Sequence, residues 1–421
     1  MITITKVHAY KEINSRGDWT VVAEVILSTG VVGRYAVADG ASTGTKEAIV
    51  LDTDTAVSNI ISKIAPALVG LSPYDQLTID TIMLELDKTP NKATLGGNSI
   101  LAVSVAVANA CALSLEVPAY IYLHALYFGK VPATLENPIL SFKEFSPRFP
   151  IPLFNILNGG KHAQNNLSFQ EFMIIPSNTY SFLERMEVGV HCYHILKDKL
   201  HADGYATSVG DEGGFAPSNF NPQTALAYIQ NALSSHYIIG TDIYFGIDVA
   251  ADSFVNGDSY TIKEQNLTLS QNQLIDYLSD LTTKHPLIIL EDPLYETHLD
   301  SWNTINANLG SKLNIVGDDL VVTNTKILLT AIDKKLCNAV IVKLNQVGTL
   351  TETFAFIQTA QKNNLKIIIS HRSGDTAEDT FVADMALAVN ADFVKFGAPA
   401  RGERTVKYNR LLEIYDDIQT T

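Results

Sequence analysis

Apolar and polar residues alternate along two runs near the start of the chain, Lys6–Ile13 and Thr20–Leu27. A period of two marks strands with one buried face. The turn-forming stretch Asn14-Ser15-Arg16-Gly17-Asp18 separates the runs, and Ser28-Thr29-Gly30 follows them. This part therefore reads as a β-meander. From about residue 45 to 125 the apolar spacing changes to three and four, as in Ile60–Leu68, Leu77–Leu86 and Ile100–Leu115, which predicts helices. A meander followed by helices is an α+β unit, assigned to residues 1–125. Gly129, Pro132, Pro138, Pro147 and Pro150 make 126–150 an irregular linker. From 151 to 421, short β-rich runs alternate with helical spacing, the sequence form of βα units around a parallel sheet. A chain of 421 residues is long for one core, which agrees with two domains.

The ends of the strands in this second half carry charge. Ile243–Ile247 runs into Asp248, and Leu287–Leu290 into Glu291-Asp292-Pro293. Leu313–Gly317 is followed by Asp318-Asp319, and Ala339–Val342 by Lys343. Lys366–Ser370 leads to His371-Arg372-Ser373, and Asp392–Val394 to Lys395. From Glu291 onward these positions recur at intervals of roughly 25 residues, about one βα unit. The carboxyl ends of barrel strands converge on one face, so the residues are expected to meet in space. An acid at a strand end is ordinarily the N-cap of the next helix. A lysine gains nothing from that position, so capping does not explain the set.

Three carboxylates, Asp248, Glu291 and Asp318, suit a hard divalent cation with oxygen ligands. Cys111, Cys192 and Cys337 lie far apart and no histidine pair joins the acids, so zinc is not expected. Of the two lysines, one can lose its proton and act as a base beside other positive charge, and the other can pair with a substrate anion. Arg372-Ser373 offers a fork and a hydroxyl, which fit phosphate. Two glycine-rich loops add candidates: Asn158-Gly159-Gly160-Lys161-His162-Ala163, and Val209-Gly210-Asp211-Glu212-Gly213-Gly214-Phe215. Gln170-Glu171 is read as following a strand-like run. Asp39-Gly40-Ala41-Ser42-Thr43-Gly44 reads either as a mobile lid or as a glycine turn before a helix.

The net charge of −15 argues against a nucleic-acid or anionic-membrane surface. It leaves an anionic substrate possible, because a bound metal inverts the local field. Three cysteines, which cannot pair off completely, and no signal-peptide pattern agree with a reducing cytoplasm. The apolar stretch from Ile100 to Val117 is interrupted by Ser104, Asn109, Ser114 and Glu116, and reads as a buried helix.

Taken together, Asn14-Ser15-Arg16-Gly17, Gly40–Gly44, Asn158–Ala163, Gln170–Met173, Gly210–Pro217, Glu291-Asp292-Pro293, Gly317-Asp318-Asp319, Val342–Thr349, Ser370–Gly374 and Gly397–Arg401 resemble the enolase family in order and spacing. The resemblance implies an α+β N-terminal cap domain on a modified (β/α)8 TIM barrel, usually dimeric. It implies reversible dehydration of 2-phosphoglycerate to phosphoenolpyruvate in glycolysis and gluconeogenesis, with two Mg2+ ions per site. Asp248, Glu291 and Asp318 would hold the first ion, and Ser42 would ligate the second. Lys343 would be the base and Glu212 the acid, with Glu171 beside it. Arg372 and Ser373 would take the phosphate. Lys395 and Gln170 would meet the carboxylate, and His162 and His371 would line the closed site. The chain departs from the family at Asp39 (usually serine), at Asp18-Trp19, at Phe396 (usually threonine), and by an insertion near Thr376-Ala377-Glu378. Its 47–58 segment is short and its 126–150 connection long. Asp39 and Phe396 keep open a lyase acting on another phosphorylated or phosphonate carboxylate. A non-catalytic binding protein on the same fold is the reading of a different class.

Overall fold

Three antiparallel strands open the chain: β1 (Ile4–Ile13), β2 (Trp19–Leu27) and β3 (Val32–Ala36). The computed structural model describes residues 2–40, 46–131, 145, 147–376 and 378–420. Val21, Val25 and Leu27 are fully or almost fully buried, as the alternation requires. The sheet packs on the helix Gly97–Ser114, whose alanines and serines permit close approach. That helix has the length and hydropathy of a membrane span, but 83% of it is buried inside the protein. The helices read near 60–68 and 77–86 are also present. The first runs from Thr53 to Leu68 through a π-turn at Ile60–Ile64, and the second spans Gln76–Asp87.

The second part is a closed eight-stranded barrel. Its strands are β4 (Ile151–Asn158), β5 (Glu171–Pro176), β6 (Ile243–Asp248), β10 (Leu287–Glu291), β11 (Asn314–Gly317), β12 (Ala339–Val342), β13 (Lys366–Ser370) and β14 (Phe393–Gly397). Between β6 and β10 lies a small antiparallel sheet of β7 (Val255–Asn256), β8 (Ser259–Ile262) and β9 (Leu267–Ser270), which accounts for the wide gap from Asp248 to Glu291. The barrel closes in the order β10-β11-β12-β13-β14-β4-β5-β6. Strand β5 runs antiparallel to both neighbours, and the other pairings are parallel. The barrel is therefore modified, and one strand presents its amino end to the face where the others present their carboxyl ends.

Leu153, Met173, Ile175, Ile289, Val316, Ile341 and Ile368 fill the barrel interior. This apolar plug closes the floor and leaves the strand-end face as the one place for polar chemistry. The first part docks at that face. Ser15 N donates to Asp375 O at 2.9 Å, Asn345 Nδ2 donates to Ala38 O at 3.0 Å, and Asp39 exchanges backbone hydrogen bonds with Gly374 at 3.0 and 2.8 Å.

Much of the 126–150 linker, including Pro132 and Pro138, lies outside the described residues, as do Ser42 with the rest of the 41–45 segment and the inserted Ala377. The linker's far end packs against the domains: Phe145 lies on His124 with ring centroids 3.9 Å apart, and Phe149 meets Phe182.

Candidate active site

Strands β6, β10 and β11 are neighbours, so their ends bring Asp248, Glu291 and Asp318 to one rim. Asp248 and Glu291 are the last residues of their strands, and Asp318 follows β11 directly. Glu171 joins them by a route that differs from the sequence reading. It does not follow a strand but opens β5, and the reversed direction of β5 brings it opposite Asp248. Lys395 also differs, since it lies in the middle of β14 rather than at its end.

The ammonium of Lys395 sits among these acids. It lies 2.8 Å from both oxygens of Glu291, 3.1 Å from Asp248 Oδ2 and 3.2 Å from Glu171 Oε2. Burial opposes the charge on Lys395, but Asp248, Glu171 and Glu291 outweigh it and hold its pKa well above the usual value. Burial and the charge of Asp248 push Glu291 well above the carboxylate range, with Lys395 pulling it back. Gln170 Nε2 donates to Asp248 Oδ2 at 3.2 Å.

On the next strands, the Lys343 ammonium contacts Asp318 Oδ2 directly. Burial lowers the lysine pKa and Asp318 raises it, with a net rise. Gln346 Nε2 donates to the other Asp318 oxygen at 3.1 Å. Thr323 supports both, donating to Gln346 Oε1 at 2.7 Å and accepting from Lys343 N at 3.0 Å. Asp292, given no role from sequence, accepts the backbone N–H groups of Asp318 (2.9 Å) and Asp319 (2.8 Å). Its φ of 38° is a left-handed conformation that few side chains adopt. This strained residue fixes the turn on which Asp318 stands.

A second cluster gathers around Glu212. Asn155 Nδ2 donates to Glu212 Oε2 at 3.0 Å, and His371 Nε2 lies 2.9 Å from Glu212 Oε1. His162 Nδ1 lies 3.4 Å from Glu171 and 3.5 Å from Glu212. Two buried carboxylates this close repel, so they hold their protons unequally. Burial and the charge of Glu212 push Glu171 up to about 7. Burial would raise Glu212 as well, but His162, His371 and Lys395 outweigh it and hold it well below its usual value. Burial depresses His371 to about 4, which keeps its ring neutral.

His162, Gln170, Glu171, Glu212, Asp248, Asp292, Asp318, Lys343, His371 and Lys395 line one cleft together with Arg372 and Ser373, whereas Glu291 is fully buried and does not line it. Arg372 Nη1 lies 3.4 Å from Glu47 Oε2, a partner that sequence reasoning did not single out. Lys161, Asp252 and Asp319 also line the cleft. Lys161 and Asp319 belong to segments already singled out in the sequence, and Asp252 does not. Phe396 is absent from the cleft. It is fully buried on the far side of β14, where its ring packs against Tyr408 at 5.7 Å. Alternation along a strand dictates this, because Lys395 and Phe396 face opposite ways.

Two family models match the chain. "Enolase, N-terminal domain" covers residues 4–123, and "Enolase, C-terminal TIM barrel domain" covers 146–421. The chain belongs to the enolase family. Its matched regions flank the irregular linker, and its cap and barrel are the two parts seen in the fold. Family membership makes the cleft that of an enolase-superfamily lyase.

The donor set of this enolase-family cleft fits a metal ion. Eight carboxylates among the lining residues (Glu47, Glu171, Glu212, Asp248, Asp252, Asp292, Asp318, Asp319) face four cations, Lys161, Lys343, Arg372 and Lys395. The cleft is thus over-supplied with buried oxygen donors. Asp292, Asp318 and Asp319 offer ligand atoms within 4.8 Å of one another, as do His162, Glu171 and Glu212, while Asp248 and Glu291 are held by Lys395. All-oxygen coordination and surplus negative charge are what a hard divalent cation requires.

Proposed function

We propose that this protein catalyses the reversible dehydration of 2-phospho-D-glycerate to phosphoenolpyruvate, as a Mg2+-dependent phosphopyruvate hydratase of cytoplasmic glycolysis and gluconeogenesis. The observation that carries the reading is the pairing of two separate proton-handling groups in one buried, oxygen-rich cleft. Lys343 stands on one carboxylate, and Glu212 is held by Asn155 and two imidazoles.

Asp248, Glu291 and Asp318 would hold the first Mg2+, and Ser42, which lies outside the described residues, would ligate the second. Bound there, Mg2+ supplies positive charge against the substrate carboxylate, which gains negative charge as the C2 proton leaves. Lys343 takes that proton in its neutral form. Its contact with Asp318 favours the charged form, a support that a metal ion held by Asp318 would weaken. Glu212 delivers a proton to the C3 hydroxyl, one drawn from the pair it forms with Glu171, whose carboxyl is held up to about 7, and the hydroxyl departs as water while the C2–C3 double bond forms. Glu171 and His162 adjoin Glu212 and adjust its proton share. Arg372 and Ser373 bind the phosphate. Lys395 and Gln170 orient the carboxylate. The protein acts on a small phosphorylated substrate, binds neither nucleic acid nor membrane, and assembles as a homodimer or dimer-based oligomer.

The test is direct. Purified protein with excess Mg2+ is given 2-phosphoglycerate, and the absorbing enol-phosphate product is followed. A metal-dependent rise that Lys343→Ala abolishes supports the reading, and silence of the unaltered protein sinks it.

One observation favours a second reading, a lyase acting on a different phosphorylated or phosphonate carboxylate. Burial raises the Asp39 carboxyl to about 6, with Arg372 pulling it down, so an acid stands near the group proposed to bind phosphate. A panel comparing 2-phosphoglycerate with phosphonate analogues separates the two by kcat/KM. Phe396 no longer supports this alternative, since it faces away from the cleft.

A further inference from the structure

Arg404 is fully buried on the helix Gly402–Thr420, behind the cleft wall. It reaches none of the groups assigned above as ligands, base or acid. Instead it gathers the segment that carries three other site residues. Its Nη1 lies 3.0 Å from His371 Nδ1 and donates to Arg372 O at 2.7 Å and to Asp375 Oδ2 at 2.6 Å. Its Nη2 donates to Ser373 O at 2.6 Å. Gly397 makes room for this: its φ is +85°, and an added Cβ would lie 3.0 Å from Arg404 Cδ and 3.1 Å from His371 Cε1.

A guanidinium has donors and no acceptor. Nη1 shares its two hydrogens among Nδ1, Arg372 O and Asp375 Oδ2, and a ring N–H facing it would meet another donor, so Nδ1 of a neutral His371 carries no proton. In that tautomer the proton is on Nε2, which lies 2.9 Å from Glu212 Oε1, although the angle between them does not make a hydrogen bond in this structure. We propose that Arg404 is a positioning residue that selects the Nε2–H tautomer of His371, keeps that nitrogen beside Glu212, and sets the Arg372 and Ser373 carbonyls from the same guanidinium. One buried side chain would thus coordinate the acid end of the cleft with its phosphate end. The inference rests on the function proposed above for its kinetic consequences, but not for the tautomer itself.

The experiment has two arms. The first is the ¹⁵N spectrum of histidine-labelled protein at neutral pH, with the His371 resonances assigned by their loss in His371→Asn. The expected result is a neutral ring protonated at Nε2. A ring protonated at Nδ1, or at both nitrogens, overturns the proposal without any variant of Arg404. The second arm is Arg404→Met, which removes the donors while Lys407 remains 2.8 Å from Asp375 as its counter-charge. The variant is expected to lose the single tautomer and to lose kcat by about 10–100-fold, the scale for groups that orient a reacting residue. Arg404→Lys is expected to retain part of both. An Arg404→Met protein with an unchanged His371 spectrum and unchanged kcat overturns the proposal. If the unaltered protein is silent on 2-phosphoglycerate but shows the Nε2–H ring, the functional reading fails and the positioning role stands.

Discussion

Lys395 places its ammonium 2.8 Å from both carboxylate oxygens of Glu291, on a strand four places away around the barrel wall in either direction. Without that cation, Glu291, Asp248 and Glu171 would crowd like charges in a space that excludes water. Removing one partner of a buried ion pair typically costs about 3–5 kcal/mol. Lys395→Met is therefore expected to melt several degrees lower in the presence of a chelator. Its stabilisation by added Mg2+ is expected to exceed that of the unaltered protein, because the cation replaces a lost counter-charge. Melting curves with and without Mg2+ check this, and an equal shift in both proteins counts against it.

Asp379 is a buried acid behind the site, and its Oδ1 has no hydrogen-bond partner. Burial lifts its pKa to about 6, with Lys407 pulling it down. The sign follows from the folded form holding the proton more tightly than the unfolded chain. Its contribution is complete below the unfolded value, near 3.9, and is lost as pH rises to about 6. Asp379→Asn keeps the shape and removes the charge. It is expected to stabilise the protein by on the order of 1–3 kcal/mol at pH 8 and to be neutral at pH 4. Denaturant titrations at the two pH values measure the difference, and an equal effect at both contradicts the expectation.

Gly189 lies on the helix Phe182–Ala202, where it presses on β4. A Cβ there would stand 2.2 Å from the Phe154 ring. Gly189→Ala is expected to destabilise by about 1–3 kcal/mol through overpacking, despite alanine's better helix propensity. A denaturation midpoint equal to or above that of the unaltered protein would show that the ring gives way freely.

Much of this architecture was legible in the sequence. Alternation gave the opening meander, helical spacing gave the cap helices, and charged residues after apolar runs located the barrel rim. The reversed β5 was not legible, because a strand's direction is set by its partners and leaves no mark in its own residues. Glu171 was accordingly read as following a strand when it begins one. Most residues singled out from motifs converge on one cleft. Asp292, Glu47, Thr323 and Arg404 were assigned no role, since each acts by orienting another residue, and such partnerships form only on folding. Phe396 was over-read as a substrate determinant, and simple alternation with Lys395 already turned it away from the cleft.

The most direct measurement separates the two proton-handling groups. Exchange of the C2 proton of 2-phosphoglycerate with heavy water is followed by NMR in the presence of Mg2+, alongside product formation. The unaltered protein is expected to catalyse both. Lys343→Ala is expected to lose both, since no base remains, and Glu212→Gln to keep exchange while losing dehydration. Exchange at the unaltered rate in Lys343→Ala would contradict the assignment of Lys343 as the base.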